Sequence, residues 1–188
     1  AYKEVTLPLK ETKRPFRSIN IVVRVFDDGL GFRYEYPGQR NWPAYTLLEE
    51  NTMFNIAGDP MIHSLFLPNY TTSHEGEYSH QSWSDLKPDT LMDMPVLLEY
   101  HNNAYMAITE AALLDYAGMY LMKQQGKLVS KLSPLPGQSA IKVKAGLPHH
   151  SPWRVVMIGN RVGALLESNI LTSLNEPNKI GDASWLKP

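Results

Sequence analysis

Prolines and glycines interrupt this chain so often that long helices have almost no room to form. Fourteen prolines and twelve glycines are spread over the 188 residues, and the longest stretch without either covers residues 96–117. A helix of ordinary length needs an uninterrupted window, because proline removes a backbone donor and glycine costs conformational entropy. Strands of about five or six residues fit between these breakers, so the spacing favours an all-β protein.

Composition and charge exclude several classes of protein. With 43% apolar residues, the chain can bury the core of one sizeable domain. Its 18 basic and 19 acidic side chains give a net charge of −1, so nothing points to nucleic acid or an anionic membrane as partner. Cysteine is absent, which excludes disulfides, thiolate metal sites and a cysteine nucleophile. No shift in composition marks a boundary, and we expect residues 1–188 to belong to one domain.

Two pairs of apolar runs predict β-hairpins. Residues 19–26 and 31–36 alternate apolar and polar side chains on either side of an Asp-Asp-Gly turn, with a loop that we expect to exceed two residues. Residues 96–100 and 104–108 flank a His-Asn-Asn sequence, and asparagine tolerates the left-handed conformation of a tight turn. Both pairs therefore indicate antiparallel strands.

The remaining segments are mixed. Residues 141–144 and 153–158 are predicted strands, whereas residues 37–45 and 68–88 are predicted loops of the kind that carry function or cover a surface. Residues 109–122 leave helix and strand open, because a cap-like threonine and helix-forming residues compete with a strand that continues from the hairpin. The pattern as a whole predicts two packed antiparallel sheets.

Histidines mark two places for a possible site. Residues 74–80 read His-Glu-Gly-Glu-Tyr-Ser-His, and imidazole and carboxylate groups this close are able to bind a divalent metal. The spacing fits no helical zinc motif, however, and the glycine loosens the segment, so a solvated polar loop is the favoured interpretation. His149 and His150 lie between prolines and are predicted to form an exposed turn.

Two carboxylates stand in apolar surroundings. Glu110 and Asp115 lie among Ala, Leu and Tyr, where an ionised group is unfavourable unless it is paired or bound to a cation. Taken alone, both are more simply explained as surface positions on an amphipathic element. No Walker motif and no Gly-x-Ser-x-Gly motif is present in the sequence, so serine nucleophile chemistry has no support.

Four phrases resemble the N-terminal domain of glycoside hydrolase family 97. They are FDDGLGFRY at residues 26–34, ITEAALLDY at residues 108–116, SPWRVVMIG at residues 151–159, and LNEP at residues 174–177 followed by DASWLKP at residues 182–188. Each phrase is short, but the four occur in the family's order and cover most of the chain.

The resemblance implies a fold and a parent enzyme. Family 97 proteins are bacterial α-glucosidases and α-galactosidases, typically exported, so a periplasmic or otherwise exported location is implied. They join an N-terminal antiparallel β-super-sandwich, which is galactose-mutarotase-like, to a catalytic (β/α)8 barrel. The resemblance favours strand for residues 109–122. It implies that residues 1–188 are this domain, incomplete at its N-terminus and ending where the barrel begins. The partners would be the protein's own barrel and an α-linked oligosaccharide, and the catalytic acids lie on the barrel, so no catalytic residue is expected here.

The resemblance also implies a calcium site. The family binds Ca²⁺ at its active site, and the Thr-Glu-Ala phrase makes Glu110 the position expected to contribute a ligand, with Asp115 as the fallback. Calcium takes six to eight oxygen ligands, so the others would come from the barrel.

Two other functions remain open. A stand-alone carbohydrate-binding or aldose-epimerase-like domain would share the super-sandwich, and an epimerase needs a histidine and a glutamate as base and acid. His63, His74, His80 and His101 are available, but no spacing singles out a pair. A purely structural interaction module is the third possibility.

Overall fold

The chain folds almost entirely into antiparallel strands, in a computed structural model that describes residues 1–187. Two short helices follow the last strand. The strands are β1 Lys3–Lys10, β2 Ser18–Phe26, β3 Gly29–Tyr36, β4 Ala44–Leu47, β5 Met53–Phe54, β6 Met61–Ser64, β7 Phe66–Leu67, β8 Ser79–Ser82, β9 Leu91–Met92, β10 Val96–Glu99, β11 Tyr105–Ala111, β12 Met119–Gln124, β13 Lys127–Leu132, β14 Val143–Gly146, β15 His149–His150 and β16 Trp153–Gly159; the helices are α1 Val162–Glu167 and α2 Ile170–Leu174.

The strands form three sheets. The large sheet has the order β1-β2-β3-β16-β11-β10-β6-β8, with β15 paired to β3. The small sheet has the order β5-β13-β12-β9-β7, and β14 pairs with β4 in a two-stranded sheet. The all-β antiparallel prediction is therefore confirmed. Within residues 1–187, no helix is long and apolar enough to cross a membrane.

The main core combines side chains from the large and the small sheet. The large sheet contributes apolar residues of β6, β10 and β11, and the small sheet contributes those of β9, β12 and β13, so the two sheets pack face to face as in a sandwich. The buried members of this cluster are Ile62, Trp83, Leu86, Met92, Val96, Leu98, Ile108, Met119, Leu121, Leu128 and Leu132.

A second core covers the opposite face of the large sheet. Trp153 and Val155 of β16 are fully buried there, and Ile170 and Leu174 of α2 pack against them. The two helices therefore shield the sheet where β3, β11 and β16 lie side by side. These helices were not predicted, because elements of five and six residues are too short to show a clear apolar period.

Both predicted hairpins are confirmed. β2 pairs with β3 and β10 pairs with β11, each antiparallel, and Asn103 in the second turn has a φ of 59°. The expectation of a longer first loop is wrong. Phe26 pairs directly with Gly29, so only Asp27 and Asp28 form the turn. Gly29 has a φ of 152°, which lets the second strand begin at once.

Other segments differ from the predictions in detail. Residues 109–122 belong to strands at both ends, with β11 closing at Ala111 and β12 opening at Met119, so the helical alternative is wrong. The predicted loop over residues 68–88 contains the short strand β8, which pairs with β6. The strand expected at residues 141–144 begins later, at Val143, and extends to Gly146.

Candidate functional site

A fully buried arginine joins two glutamates inside the sandwich. The Arg154 side chain has no exposed surface; its Nε and Nη2 donate to the two carboxylate oxygens of Glu50 at 2.8 and 2.7 Å. Its Nη1 donates to Oε2 of Glu110 at 2.6 Å. We call these three residues the Arg154 cluster. Charge-assisted bonds of this kind are about twice as strong as neutral ones and fix the planar guanidinium in orientation.

The strand register brings the cluster together. Glu110 on β11 stands directly opposite Arg154 on β16, so both side chains lie on the same face of the large sheet. The backbone N–H of Met119, the first residue of β12, donates to both Glu110 oxygens at 3.2 and 3.3 Å. Glu50 is held from the small sheet, because the hydroxyl of Ser130 on β13 donates to its backbone carbonyl. The cluster therefore spans both sheets.

Further hydroxyls complete the surroundings of Glu50. Thr52 Oγ1 donates to Oε1 at 2.8 Å, and the Tyr116 hydroxyl donates to Oε2 at 3.1 Å. The Tyr34 hydroxyl lies 2.8 Å from Thr52 Oγ1 and donates to it, since the single threonine proton goes to the carboxylate. Each oxygen of Glu50 thus accepts two hydrogen bonds, which stabilises its buried charge.

Glu110 is less completely satisfied than Glu50. Among residues 1–187, the one donor to its Oε1 is the Met119 N–H, whose long bond is shared between the two oxygens. Burial raises the pKa of the Glu110 carboxyl, and the charge of Arg154 together with the Met119 N–H opposes that rise without cancelling it. Two carboxylates share one guanidinium, so the ionised cluster carries one excess negative charge. A cation beside Glu110 would compensate this charge.

Burial and charge act in opposite directions on Arg154 as well. Burial alone would lower its pKa, but the hydrogen bonds and charge of Glu50, with the charge of Glu110, raise it above the usual value. The guanidinium therefore stays charged.

This chain can supply one ligand, Glu110, to a calcium ion. Glu110 offers a hard carboxylate oxygen, and 12% of its side chain is exposed. Within residues 1–187, no three His, Asp or Glu side chains are arranged to hold a metal ion by themselves. Any ion at Glu110 would need most of its ligands from elsewhere.

Asp115 lies apart from the cluster. It belongs to the loop over residues 112–118, has a φ of 47°, and exposes 90% of its side chain. Its Oδ2 lies 3.7 Å from Nε2 of His149. The fallback ligand Asp115 is therefore exposed beside His149 and lies outside the Arg154 cluster.

The predicted exposed turn at His149 and His150 is wrong. Both are half-buried in β15, which pairs with β3. Nδ1 of His149 is 2.7 Å from the Tyr45 hydroxyl, and its ring stacks on that of Tyr116 at 6.0 Å. Burial lowers the pKa of His149, and the charge of Asp115 partly opposes this.

The two histidines of the polar segment at residues 74–80 contact different parts of the protein. Nδ1 of His74 lies 2.7 Å from Oδ2 of Asp93, so it fastens the loop to the residue after β9. His80 on β8 faces His63 on β6, with ring centroids 6.0 Å apart. Nε2 of His63 lies 2.9 Å from Oε2 of Glu99. Sequence spacing gave no hint of this His–Glu pair, because the two residues come from separate strands.

Arg154 and Glu50 were not among the residues predicted from the sequence. A signal for Arg154 was present, since it is the one charged residue within the apolar run over residues 153–158. A charge at the centre of a buried strand requires a partner. No local pattern points to Glu50.

Comparison with known proteins decides the family. The family described as "Glycosyl-hydrolase 97 N-terminal" matches residues 1–177. The chain belongs to glycoside hydrolase family 97, in its N-terminal domain. The resemblance drawn from the four sequence phrases is therefore confirmed.

Two curated relatives that match this chain are named as galactosidases. The chain is 24% identical to a retaining alpha-galactosidase of Bacteroides thetaiotaomicron, over 90% of this chain and 29% of that protein. It is 23% identical to a probable retaining alpha-galactosidase of Streptomyces bingchenggensis, over 96% of this chain and 27% of that protein. The chain spans less than a third of the length of either relative.

Solved structures agree with the assignment to family 97. A family 97 enzyme from Pseudoalteromonas sp. in complex with acarbose is 30% identical, with a TM-score of 0.90 over 100% of this chain and 28% of that chain. The same scores hold for a variant of that organism's enzyme in complex with panose. A beta-arabinopyranosidase shares the fold at a TM-score of 0.62 and 18% identity, over 86% of this chain and 31% of that chain.

Proposed function

We propose that this chain is the non-catalytic N-terminal domain of a calcium-dependent, exo-acting α-glycosidase. It packs on a catalytic barrel in the same protein and contributes Glu110 to a calcium ion at the active site. Membership of family 97 and the two hydrolase relatives support a glycosidase as the parent protein. We propose that the parent enzyme is periplasmic or otherwise exported, as the resemblance to exported family members implies.

The setting of Glu110 carries the calcium proposal. The carboxylate is largely buried beside an already paired arginine, and one of its oxygens accepts only a long, shared hydrogen bond. The excess negative charge of the Arg154 cluster favours a cation at that oxygen. Calcium bound there would supply an electrostatic anchor for the substrate or for the carboxylates around it.

The substrate proposed is an α-linked oligosaccharide. Two curated relatives are alpha-galactosidases, and the solved neighbours from Pseudoalteromonas were studied with acarbose and panose. Assays of the parent enzyme with nitrophenyl α-galactoside and nitrophenyl α-glucoside separate the two specificities. Turnover of neither, under conditions where a characterised family member is active, would contradict the proposal.

The calcium role is tested by Glu110→Gln in the parent enzyme. Glutamine keeps the shape and one neutral oxygen but removes the charge, so calcium affinity should fall and activity should decrease, with partial recovery at high calcium. Asp115→Asn is the matched control and should leave the calorimetric calcium titration unchanged. If Glu110→Gln binds calcium as the wild type does, Glu110 is not a ligand; if only Asp115→Asn loses affinity, the fallback assignment replaces it.

Catalysis by the 188-residue chain alone is not expected. The acids that family 97 uses are expected on the barrel, so the purified chain should not hydrolyse nitrophenyl α-glycosides above a matched blank. Turnover above that blank would contradict the assignment of a non-catalytic domain.

One observation favours an alternative function. The His63–Glu99 pair supplies a base and an acid of the kind an aldose epimerase needs. An epimerase-like domain would accelerate the mutarotation of glucose or galactose, and His63→Gln would abolish that effect.

Isothermal titration with maltose distinguishes a carbohydrate-binding domain from a purely structural one, which would give no heat of binding.

A further inference from the structure

The geometry points to Arg154 and Glu50 as positioning residues that orient Glu110 for calcium, an inference that rests on the calcium role proposed for Glu110. Arg154 uses three of its nitrogens on two carboxylates, and it holds only one oxygen of Glu110. The other oxygen, Oε1, does not bond to the arginine and accepts the long bond that it shares with Oε2 from the Met119 N–H, so it retains a lone pair for a cation. A glutamate without this contact has several rotamers, and ordering it on binding would cost affinity.

Glu50 fixes the arginine in turn. It binds two nitrogens of Arg154 in a bidentate arrangement, and Thr52 and Tyr116 donate to its remaining acceptor sites. Both partners are buried, with 0% of the Arg154 side chain and 4% of the Glu50 side chain exposed. With Nε and Nη2 bound to Glu50, the plane of the guanidinium is fixed, and its third nitrogen, Nη1, is held in the direction of Glu110 Oε2.

The loop over residues 112–118 and Met119, the residue after it, also contact the two glutamates of the Arg154 cluster. Tyr116 lies in the loop over residues 112–118 and donates to Glu50, while Met119 at the end of that loop donates to Glu110. The loop and the arginine thus hold the same carboxylate from two sides. Residues that orient a metal ligand in this way typically contribute tenfold to a hundredfold in metal affinity.

The test uses the parent enzyme and calcium itself as the probe. Arg154→Lys keeps the positive charge but loses the planar fork, and we expect its calcium dissociation constant to rise about tenfold to a hundredfold by isothermal titration. The kcat should return close to the wild-type value at saturating calcium, while half-maximal activity shifts to higher calcium. Arg33→Lys is the matched control, because Arg33 pairs with Glu35 on the same strand and stacks on Trp153, outside the Arg154 cluster.

A second, more conservative variant is used if Arg154→Lys does not fold. Tyr116→Phe removes one hydrogen bond to Glu50, and we expect a smaller loss of calcium affinity, about threefold to tenfold. Tyr105→Phe is its control, since that tyrosine donates to Glu99, a carboxylate outside the Arg154 cluster. Folding of each variant is checked by its thermal unfolding temperature.

The outcomes separate the inference from the calcium role of Glu110. Loss of affinity in Glu110→Gln together with Tyr116→Phe or Arg154→Lys supports both. Loss in Glu110→Gln alone, with wild-type affinity in the folded Arg154→Lys and Tyr116→Phe variants, overturns the positioning role and leaves the ligand role intact. Wild-type affinity in Glu110→Gln overturns both.

Discussion

Arg154 and Glu50 are 104 residues apart in the chain and are joined by two short hydrogen bonds in the interior of the sandwich. One belongs to a central strand of the large sheet, and the other precedes the edge strand of the small sheet. Burial of such a pair is unfavourable for each charge alone, so each depends on the other.

Arg154→Met should destabilise the protein by about 3–5 kcal/mol in urea unfolding, because two buried carboxylates lose their common partner. Arg161→Met is the control, since Arg161 and Glu167 pair at the surface with 59% and 64% of their side chains exposed. That change should cost less than about 1 kcal/mol. Equal losses in the two variants would contradict the dependence of the buried charges on Arg154.

Gly29→Ala should destabilise the protein by about 2 kcal/mol or more, because the added methyl group meets backbone that cannot move away. A Cβ at this position would lie 2.2 Å from the carbonyl oxygen of Val156, and the φ of 152° adds strain. Gly181→Ala, where nothing lies within 4 Å of the added carbon, serves as the comparison and should change the unfolding free energy by less than about 0.5 kcal/mol. A near-neutral Gly29→Ala would show that the backbone of β3 or β16 can move away from the added methyl group.

Leu174→Ala should cost about 2–5 kcal/mol of unfolding free energy, since it leaves a cavity between α2 and the large sheet. Leu174 is 2% exposed, and one of its methyl groups lies 2.7 Å from the position that a Cβ would take on Gly31. The same substitution at Leu166 in α1, which is 86% exposed, should change stability by less than about 0.5 kcal/mol. A small effect at Leu174 would mean that α2 is not needed to close this core.

Stability should fall as the pH drops through the range in which His149 takes up a proton. Burial lowers the pKa of His149 below the ordinary 6.5, so the unfolded chain binds the proton first. Stability is therefore fully present above about pH 6.5 and is lost as the pH falls towards the folded pKa. Urea unfolding at pH 7.5 and pH 5.5 measures the loss.

Two variants isolate the contribution of His149 to this pH dependence. His149→Gln should show a smaller difference in unfolding free energy between the two pH values than the wild type. His101→Gln changes an exposed residue in the turn before β11 and should retain the wild-type difference. If His149→Gln retains it too, the histidine does not couple folding to protonation.

Local patterns predicted what depends on neighbouring residues in the sequence. The β2–β3 hairpin follows from alternation over residues 19–36, and the β10–β11 hairpin from two apolar runs around an Asn-Asn pair. Which distant strands become neighbours depends on how the whole chain packs. The β11–β16 pairing that brings Glu110 opposite Arg154 could not be derived from either strand alone.

The candidate site was predicted only in part for the same reason. Glu110 drew attention because a carboxylate in apolar surroundings needs a partner. Its partner within the domain, Arg154, and the partner of that arginine, Glu50, became visible only once the sheets were packed. His149 was misjudged because flanking prolines indicate a turn and carry no information about the aromatic rings that enclose it.

The division of the Arg154 cluster among three chain segments has a consequence for recombination between relatives. A chimera with a crossover between residues 50 and 110 inherits Glu50 from one parent, and Glu110 with Arg154 from the other. It keeps a matched set of charges only if both parents carry the same three residues. Since interacting buried groups are strongly non-additive, a mismatched chimera should be less stable than either parent even where every surface residue is compatible. Across an alignment of relatives, these three positions should therefore be exchanged together or not at all.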